Sequence, residues 1–404
     1  MSADGAGRRY DVVIAGAGPA GAATAMVLAR AGVSVALVDR ARFPRPKACA
    51  EYFSPGVVDI LERLRVWQQV ARLPHARLTG MELVGPGGGR HLVAYPDDPL
   101  PRRSLTVRRD LLDAALLEQA AAAGATLFLG HAVRDVMRSG RRATGLLVQH
   151  ADTLTELPAQ LVIGADGTRS IVAHRLGLEA PRRWPARLGL VAHYDGVEFP
   201  TDYGEMHLAS GVYCGLAPLG NGGMNVGFVT SAATARRLGS ADAIFAWVRH
   251  QLPNVAQALR NGRQVGTLRG SMPLAHRCYR TFTDGALLVG DAAGFLDPFT
   301  GEGVFRALRG AELAAAVALD ALKRGDVSAR TLAPYAALRR RTFVAKDALC
   351  LLIQLFVARP RLLDYAIPRL NARGEARALA AALGDYRPAA RVLTPPMLWR
   401  LLAP

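Results

Sequence analysis

The chain has 404 residues, half of them apolar, so it can bury two or three cores. Its formal charge of +17 comes from 47 arginines and three lysines (Lys47, Lys323 and Lys346), scattered without a stripe or interleaved aromatics; this excludes a nucleic-acid binder and leaves an acidic carrier protein or a membrane surface as partners for the charge. Cys49, Cys214, Cys278 and Cys350 show no C-x-x-C spacing, which argues against a zinc site or a disulfide framework and predicts no metal and a reducing, cytoplasmic setting.

Val12 to Ala15 is a continuous apolar run, the pattern of a strand buried on both faces. Gly16-Ala17-Gly18-Pro19-Ala20-Gly21 follows, then a helical run to Arg30, a turn at Gly32 and a second apolar run, Val33 to Val38, ending at Asp39. Gly16 allows the tight turn, Gly18 lets a diphosphate approach the backbone, and Gly21 lets helix and strand pack closely. The helix N-terminus presents free N–H groups to phosphates. Asp39, 18 residues beyond Gly21, is spaced to accept ribose hydroxyls.

Next comes a proline-punctuated loop, Arg42 to Gly56, and a helix from Val57 to about Leu64. Residues 78–95 predict two strands around a turn at Gly85 to Gly89. Thr106 to Ala123 predicts a helix capped at Gly124, and Ala125–Leu129 and Ala143–Gln149 predict strands. Leu161 to Gly167 predicts a buried strand ending in Gly-Ala-Asp-Gly, with a helix after Ser170. Residues 187–231 alternate as sheet strands do, and 286–290 predict a last buried strand ending at Asp291. A long alanine-rich helix spans about 302–321. From Tyr335 the pattern is helical, broken at Pro360, Pro368, Pro388 and Pro395-Pro396. Within it, Ala348 to Ala358 is the strongest apolar run; at 11 residues it is too short to cross a bilayer and predicts a core helix. No charged-then-apolar leader precedes Tyr10, in keeping with the cytoplasmic expectation, although the basic charge allows a place at the membrane periphery.

The pattern therefore predicts an α/β protein. A discontinuous Rossmann-type nucleotide domain occupies residues 1–77, 104–175 and 275–334. A β-rich substrate domain is threaded through it at 78–103 and 176–274, and a helical region covers 335–404. Asp39, Asp166 and Asp291 each end an apolar strand, where ligands gather in open α/β sheets.

Gly16-x-Gly18-x-x-Gly21, Arg109-x-x-x-Asp113, Gly164-Ala165-Asp166-Gly167 and Gly290-Asp291 through Pro298 to Gly301-Glu302-Gly303 together resemble the flavoprotein hydroxylase superfamily over residues 10 to about 330. The resemblance implies an aromatic-hydroxylase-like fold with FAD as cofactor. Gly16, Gly18, Pro19, Ala20, Gly21, Asp39 and Arg40 would hold its ADP half, with Arg109 near the diphosphate. Val133 would lie on the cofactor side. Asp166 and Gly167 would border the diphosphate and any entering nicotinamide. Gly290 and Asp291 would take the ribityl chain, and Pro298, Gly301, Gly303 and Val304 would face the isoalloxazine. Gly294 after Asp-Ala-Ala, the Gly-Glu-Gly run and Lys47-x-Cys49 are similar to the geranylgeranyl-reductase branch. Ala50 departs from that branch's Lys-x-Cys-Gly, and Tyr213 to Pro218 departs from its Tyr-x-Trp-x-Phe-Pro run. The Gly-Trp-x-Trp-x-Ile-Pro run of flavin halogenases is absent.

A lone loop cysteine is usually a small apolar filler, but Lys47 beside Cys49 makes both candidate catalytic residues. Glu51 reads as a solvated loop charge. The resemblance implies an FAD-dependent oxidoreductase of a hydrophobic small molecule, reducing a carbon–carbon double bond with Cys49 or water as proton source. The alternative is an NAD(P)H-dependent monooxygenase that hydroxylates or epoxidises an aromatic or polyketide-type substrate through a C4a-hydroperoxide. A third reading is a flavin-bound carrier without catalysis. Only one G-x-G-x-x-G has strand and helix flanks, so electrons would come from NAD(P)H visiting transiently or from a partner reductase. The oligomeric state is open.

Overall fold

The computed structural model describes residues 8–96, 103–181, 186–359 and 375–396, with Leu362, Tyr365 and Trp399. Strand β1 (Tyr10–Ala15) lies parallel between β2 (Val35–Asp39) and the strand Thr153–Gly164. Thr126–Leu129 and Ala286–Leu288 extend this parallel sheet on either side. Val12 and Ile14 pack on the helical side, with α1 (Pro19–Arg30), Arg109–Ala122 and Gly303–Lys323. Val13 and Ala15 pack on the opposite side, against Val136, Leu146 and Val148. Burial on both faces is why β1 is an unbroken apolar run. Because the strands are parallel, the Gly16 loop, Asp39, Asp166 and Asp291 all emerge at one edge.

The second sheet has seven strands, ordered Arg263–Ser271, Arg187–Asp195, Gly223–Ser231, Val212–Pro218, Gly204–Ala209, Gly80–Val84, Arg90–Ala94. The hairpin at 80–94 joins it through parallel pairing of Gly80–Val84 with Gly204–Ala209, so segments far apart in sequence build one sheet. One face packs Leu190, Cys214, Val226 and Phe228 against the helix Ala241–Gln251. The other face carries His193, Tyr213, Asn225 and Gly227, the partners of the residues that line the first sheet's edge.

Two expectations change. The helix predicted from Thr106 begins only at Arg109, because Ser104–Val107 is a strand between Tyr52–Phe53 and His75–Leu78. Thr106 and Val107 are β-branched and buried there, and tertiary pairing outweighs the helical pattern that follows. A strand not predicted, Ala132–Ser139, pairs with Arg142–His150 and covers the back of the first sheet.

The C-terminal region is helical. In Pro334–Val357, the Tyr335 hydroxyl donates to the Leu288 carbonyl at 2.7 Å, and buried Lys346 pairs with Asp385. The 348–358 run is half core: Leu349, Cys350, Gln354 and Val357 are buried, while Leu351 and Leu355 are exposed. The breaks predicted at Pro360 and Pro368 lie outside the described residues. Among the described residues no helix is long and apolar enough to cross a membrane.

Candidate active site

A cleft of ≈ 540 Å³ runs along the carboxyl edge of the parallel sheet. Gly16, Gly18, Pro19 and Ala20 form one wall, with Asp39 and Arg40 beside them. Ala165, Asp166, Gly167 and Asp291 form the floor, and Pro298, Gly301, Gly303 and Val304 close the far end. Lys47, Cys49 and Arg109 line the opposite wall. Three predicted residues sit elsewhere. Gly21 lies behind the wall, where a Cβ would stand 1.8 Å from the Gly16 carbonyl oxygen, and a Cβ on Gly290 would stand 2.8 Å from that of Ala20. Both are packing positions. Val133 packs into the core behind the sheet rather than facing the cleft.

The sequence missed several lining residues. Arg45, Tyr52 and Phe53 come from the proline-rich loop and the strand after it, and Ser271, Leu274 and Phe295 from the second sheet's end and the loop before Pro298. Single apolar or hydroxyl residues in loops carry no pattern that marks them as lining a site.

The acid-tipped strands do different work. The N–H of Ala17 donates to Asp39 Oδ2 at 2.9 Å and that of Ala41 to Oδ1 at 2.8 Å. Asp166 instead starts a short helix, Ile171–Arg175, accepting from the Ser170 hydroxyl at 2.6 Å and the Ile171 N–H at 2.7 Å. Burial pushes the Asp166 carboxyl up, and these hydrogen bonds oppose it. Burial also pushes Asp291 up, opposed by the charges of Lys47 and Arg109.

A family profile described as an FAD binding domain matches residues 9–350. The chain belongs to that family. Within it, the chain is 30% identical over 346 residues to the digeranylgeranylglycerophospholipid reductase 2 of Methanothermobacter thermautotrophicus, covering 84% of this chain and 85% of the relative. It is 34% identical over 327 residues to the menaquinone reductase of Mycolicibacterium smegmatis, covering 76% of each. Among solved structures, a geranylgeranyl bacteriochlorophyll reductase-like protein of Thermoplasma acidophilum superposes with TM-score 0.81 at 22% identity, covering 96% of this chain and 98% of that one. The flavin-dependent brominase Bmp2 superposes with TM-score 0.82 at 20% identity, covering 95% and 97%. These two show the shared fold.

The chain is thus an FAD-dependent oxidoreductase, and the cleft's own residues fit the cofactor of the FAD-binding family. A Cβ on Gly18 would point into open space, meeting only the Arg45 guanidinium at 3.5 Å, so the room above that backbone belongs to the cleft. The start of α1 and Asp39 offer donors and an acceptor at one end, and Asp291 an acceptor further along.

Arg109 does not offer a free charge to a diphosphate. Its buried guanidinium grips Asp113 through Nε at 2.8 Å and Nη2 at 2.9 Å. Burial works against its charge, but Asp113 holds it firmly protonated. Burial pushes the Cys49 thiol up, and Arg109 opposes this with its charge and a hydrogen bond to the sulfur. Lys47 is exposed to the open cleft. Desolvation by the cleft walls lowers its pKa, and nearby Arg109 lowers it further, against the pull of Asp291.

Glu51 corrects the expectation of a solvated charge. It is 2% exposed, because its carboxylate accepts the Arg109 N–H at 2.7 Å and meets His193 Nε2 at 2.7 Å and Asn225 Nδ2 at 3.0 Å. A buried carboxylate needs such partners.

Proposed function

We propose that the enzyme reduces a carbon–carbon double bond in an isoprenoid-type lipid. The observation that carries this is Cys49 on the cleft wall beside Arg109 and Lys47, with Tyr52, Phe53, Leu274 and Phe295 supplying apolar surface along the same cleft. The names of the reductase relatives, for a digeranylgeranylglycerophospholipid and for menaquinone, support a prenylated substrate. FAD, when bound and reduced, supplies a hydride to one alkene carbon. The protein supplies the rest. Burial keeps the Cys49 thiol protonated near neutral pH, so it can give its proton to the other alkene carbon. Arg109, in contact with the sulfur, stabilises the thiolate left behind, which regains a proton from solvent. The apolar wall orients the chain and excludes water from the reacting carbons. Electrons come from a transient nicotinamide or a partner reductase.

A lipid substrate is met at a bilayer, and the surface of Pro334–Val357 supports contact with an anionic one. Val344, Leu351 and Leu355 are exposed at spacings that place them on one helix face, with exposed Arg340, Arg341 and Arg359 at its two ends. On the inner side of the same helix, Ile353 and Val357 join an apolar cluster with Tyr213 and Leu274, and Leu274 lines the cleft.

The test is anaerobic photoreduction of the flavin, then mixing with menaquinone or a geranylgeranyl lipid. The expected result is flavin reoxidation without oxygen and a product two hydrogens heavier in its isoprenoid chain, a gain that survives air oxidation of any quinol. Reoxidation only with O₂, through a long-lived oxygen-adduct absorbance, replaces the reductase reading with the monooxygenase.

A further inference from the structure

Glu51 makes four hydrogen bonds, and the proposed reduction leaves it without a task. It sits at φ 55°, a conformation that non-glycine residues adopt only when their surroundings hold them there. Its surroundings do so from two separate units. From the first, the Arg109 N–H at the start of the Arg109–Ala122 helix donates to Oε1 at 2.7 Å. From the second sheet, His193 Nε2 lies 2.7 Å from Oε2, and Asn225 Nδ2 donates to Oε2 at 3.0 Å.

The same amide of Asn225 donates to the Cys49 carbonyl at 3.0 Å, and the Glu51 N–H points to Cys49 Sγ at 3.4 Å. The loop lies flat on the sheet here: a Cβ on Gly227 would stand 3.3 Å from the Ala50 Cβ. The charged groups acting on Cys49 are Arg109 from the helix, Lys47 from its own loop, and Glu51, with His193 behind Glu51 and Arg45 acting on Lys47. Among them, Glu51 is the negative charge acting on the sulfur.

We infer that Glu51, gripped by His193 and Asn225, is a positioning residue for Cys49: it seats the loop on the second sheet and sets the charge beside the thiol. Asn225 fixes the backbone of Cys49, and Glu51 fixes where its sulfur stands. The role in turnover rests on Cys49 being the proton donor proposed above. The geometry of the latch does not.

The test therefore reads Cys49 directly. In FAD-loaded protein, the rate of Cys49 alkylation by iodoacetamide is followed against pH, with the site identified by peptide mass. Glu51→Gln removes the negative charge and should move the midpoint down by about half a pH unit or more, whereas His193→Gln keeps both the carboxylate and a donor to it and should leave the midpoint in place. A loosened loop alone would speed alkylation in either variant without moving a midpoint. Midpoints that move together, or that both stay in place, overturn the inference. If Glu51→Gln does not fold, Asn225→Ala decides: it releases the Cys49 carbonyl, and an unchanged alkylation rate overturns the inference. A midpoint lowered in Glu51→Gln alone, without any reduction of an isoprenoid, would keep the latch and remove the proposed substrate chemistry.

Discussion

The backbone N–H of Ala17 donates to Asp39 Oδ2 at 2.9 Å, tying the middle of the glycine loop to the tip of the neighbouring strand. The carboxylate expected to meet a ribose therefore also holds the loop expected to meet the phosphates. Asp39→Ala removes both functions. A charge-assisted hydrogen bond is worth about 1.5–3 kcal/mol, so FAD affinity should fall roughly tenfold to a hundredfold. Fluorescence titration of released flavin checks this, and an unchanged Kd would detach Asp39 from the cofactor.

Two glycines of one motif should fail differently. Gly18 faces the cleft, so Gly18→Val should fold and purify without yellow colour. Gly21 faces the Gly16 carbonyl at a distance no Cβ tolerates. Gly21→Ala should therefore cost about 3 kcal/mol or more of stability, the upper end for overpacking. Denaturant melts of the flavin-free proteins separate the two outcomes.

Lys47 is one of only three lysines among 50 basic residues, and its pKa is depressed by desolvation and by Arg109. A group with a lowered pKa loses its charge earlier as pH rises. A turnover step that needs the ammonium should thus fade below the range of an ordinary lysine. Lys47→Arg stays charged throughout and demands a planar site. It should retain FAD, lose this alkaline limb, and slow substrate-dependent flavin reoxidation at least tenfold, about 1.4 kcal/mol of barrier. Wild-type rates and an unchanged pH profile would make Lys47 a bystander.

Asp297 joins three segments. It accepts from Tyr213 at 2.6 Å, from Arg187 at 3.0 Å and from Gln354 at 3.0 Å. It sits in the loop that carries Pro298 to the cleft, and burial pushes its carboxyl up despite Arg187. Asp297→Ala leaves the half-buried Arg187 without its anion, which should cost about 3 kcal/mol, the lower end for a broken buried pair. Asp297→Asn keeps most hydrogen bonds and should cost less. Equal midpoints for both in urea would show that the charge contributes nothing.

The exposed face of Pro334–Val357 predicts binding to vesicles containing phosphatidylglycerol and little to phosphatidylcholine alone. Leu351→Glu with Leu355→Glu should reduce co-sedimentation at least about tenfold, given roughly 1 kcal/mol per basic residue near an anionic surface and added loss of apolar burial. Full binding by the double variant would clear this face of the role. Dissociation of a dimer by the same change would assign the face to a second copy of the chain.

The unit from Tyr10 to Asp39 was legible because its signals are local. A strand buried on both faces must be apolar throughout, and a diphosphate loop must lack side chains where the backbone is approached. The strands at 80–94 were equally readable from alternation around a glycine turn, and the structure has them at Gly80–Val84 and Arg90–Ala94. Thr106 was misread because strand pairing with Tyr52 and Ala76 lies outside any sequence window.

By itself, then, the sequence determined the α/β class, the glycine turn between the first strand and helix and the acids at the strand tips, since each is dictated by short-range spacing. Only the tertiary structure decided what Glu51 and Arg109 do. The partners of Glu51 lie 58, 142 and 174 residues away, and Arg109 turns its charge to Asp113 and Cys49 rather than outward. An ionised side chain in a loop has the same sequence signature whether water or protein solvates it. Which of the two occurs depends on what the fold brings alongside, and here it brings a second sheet down onto the cysteine loop.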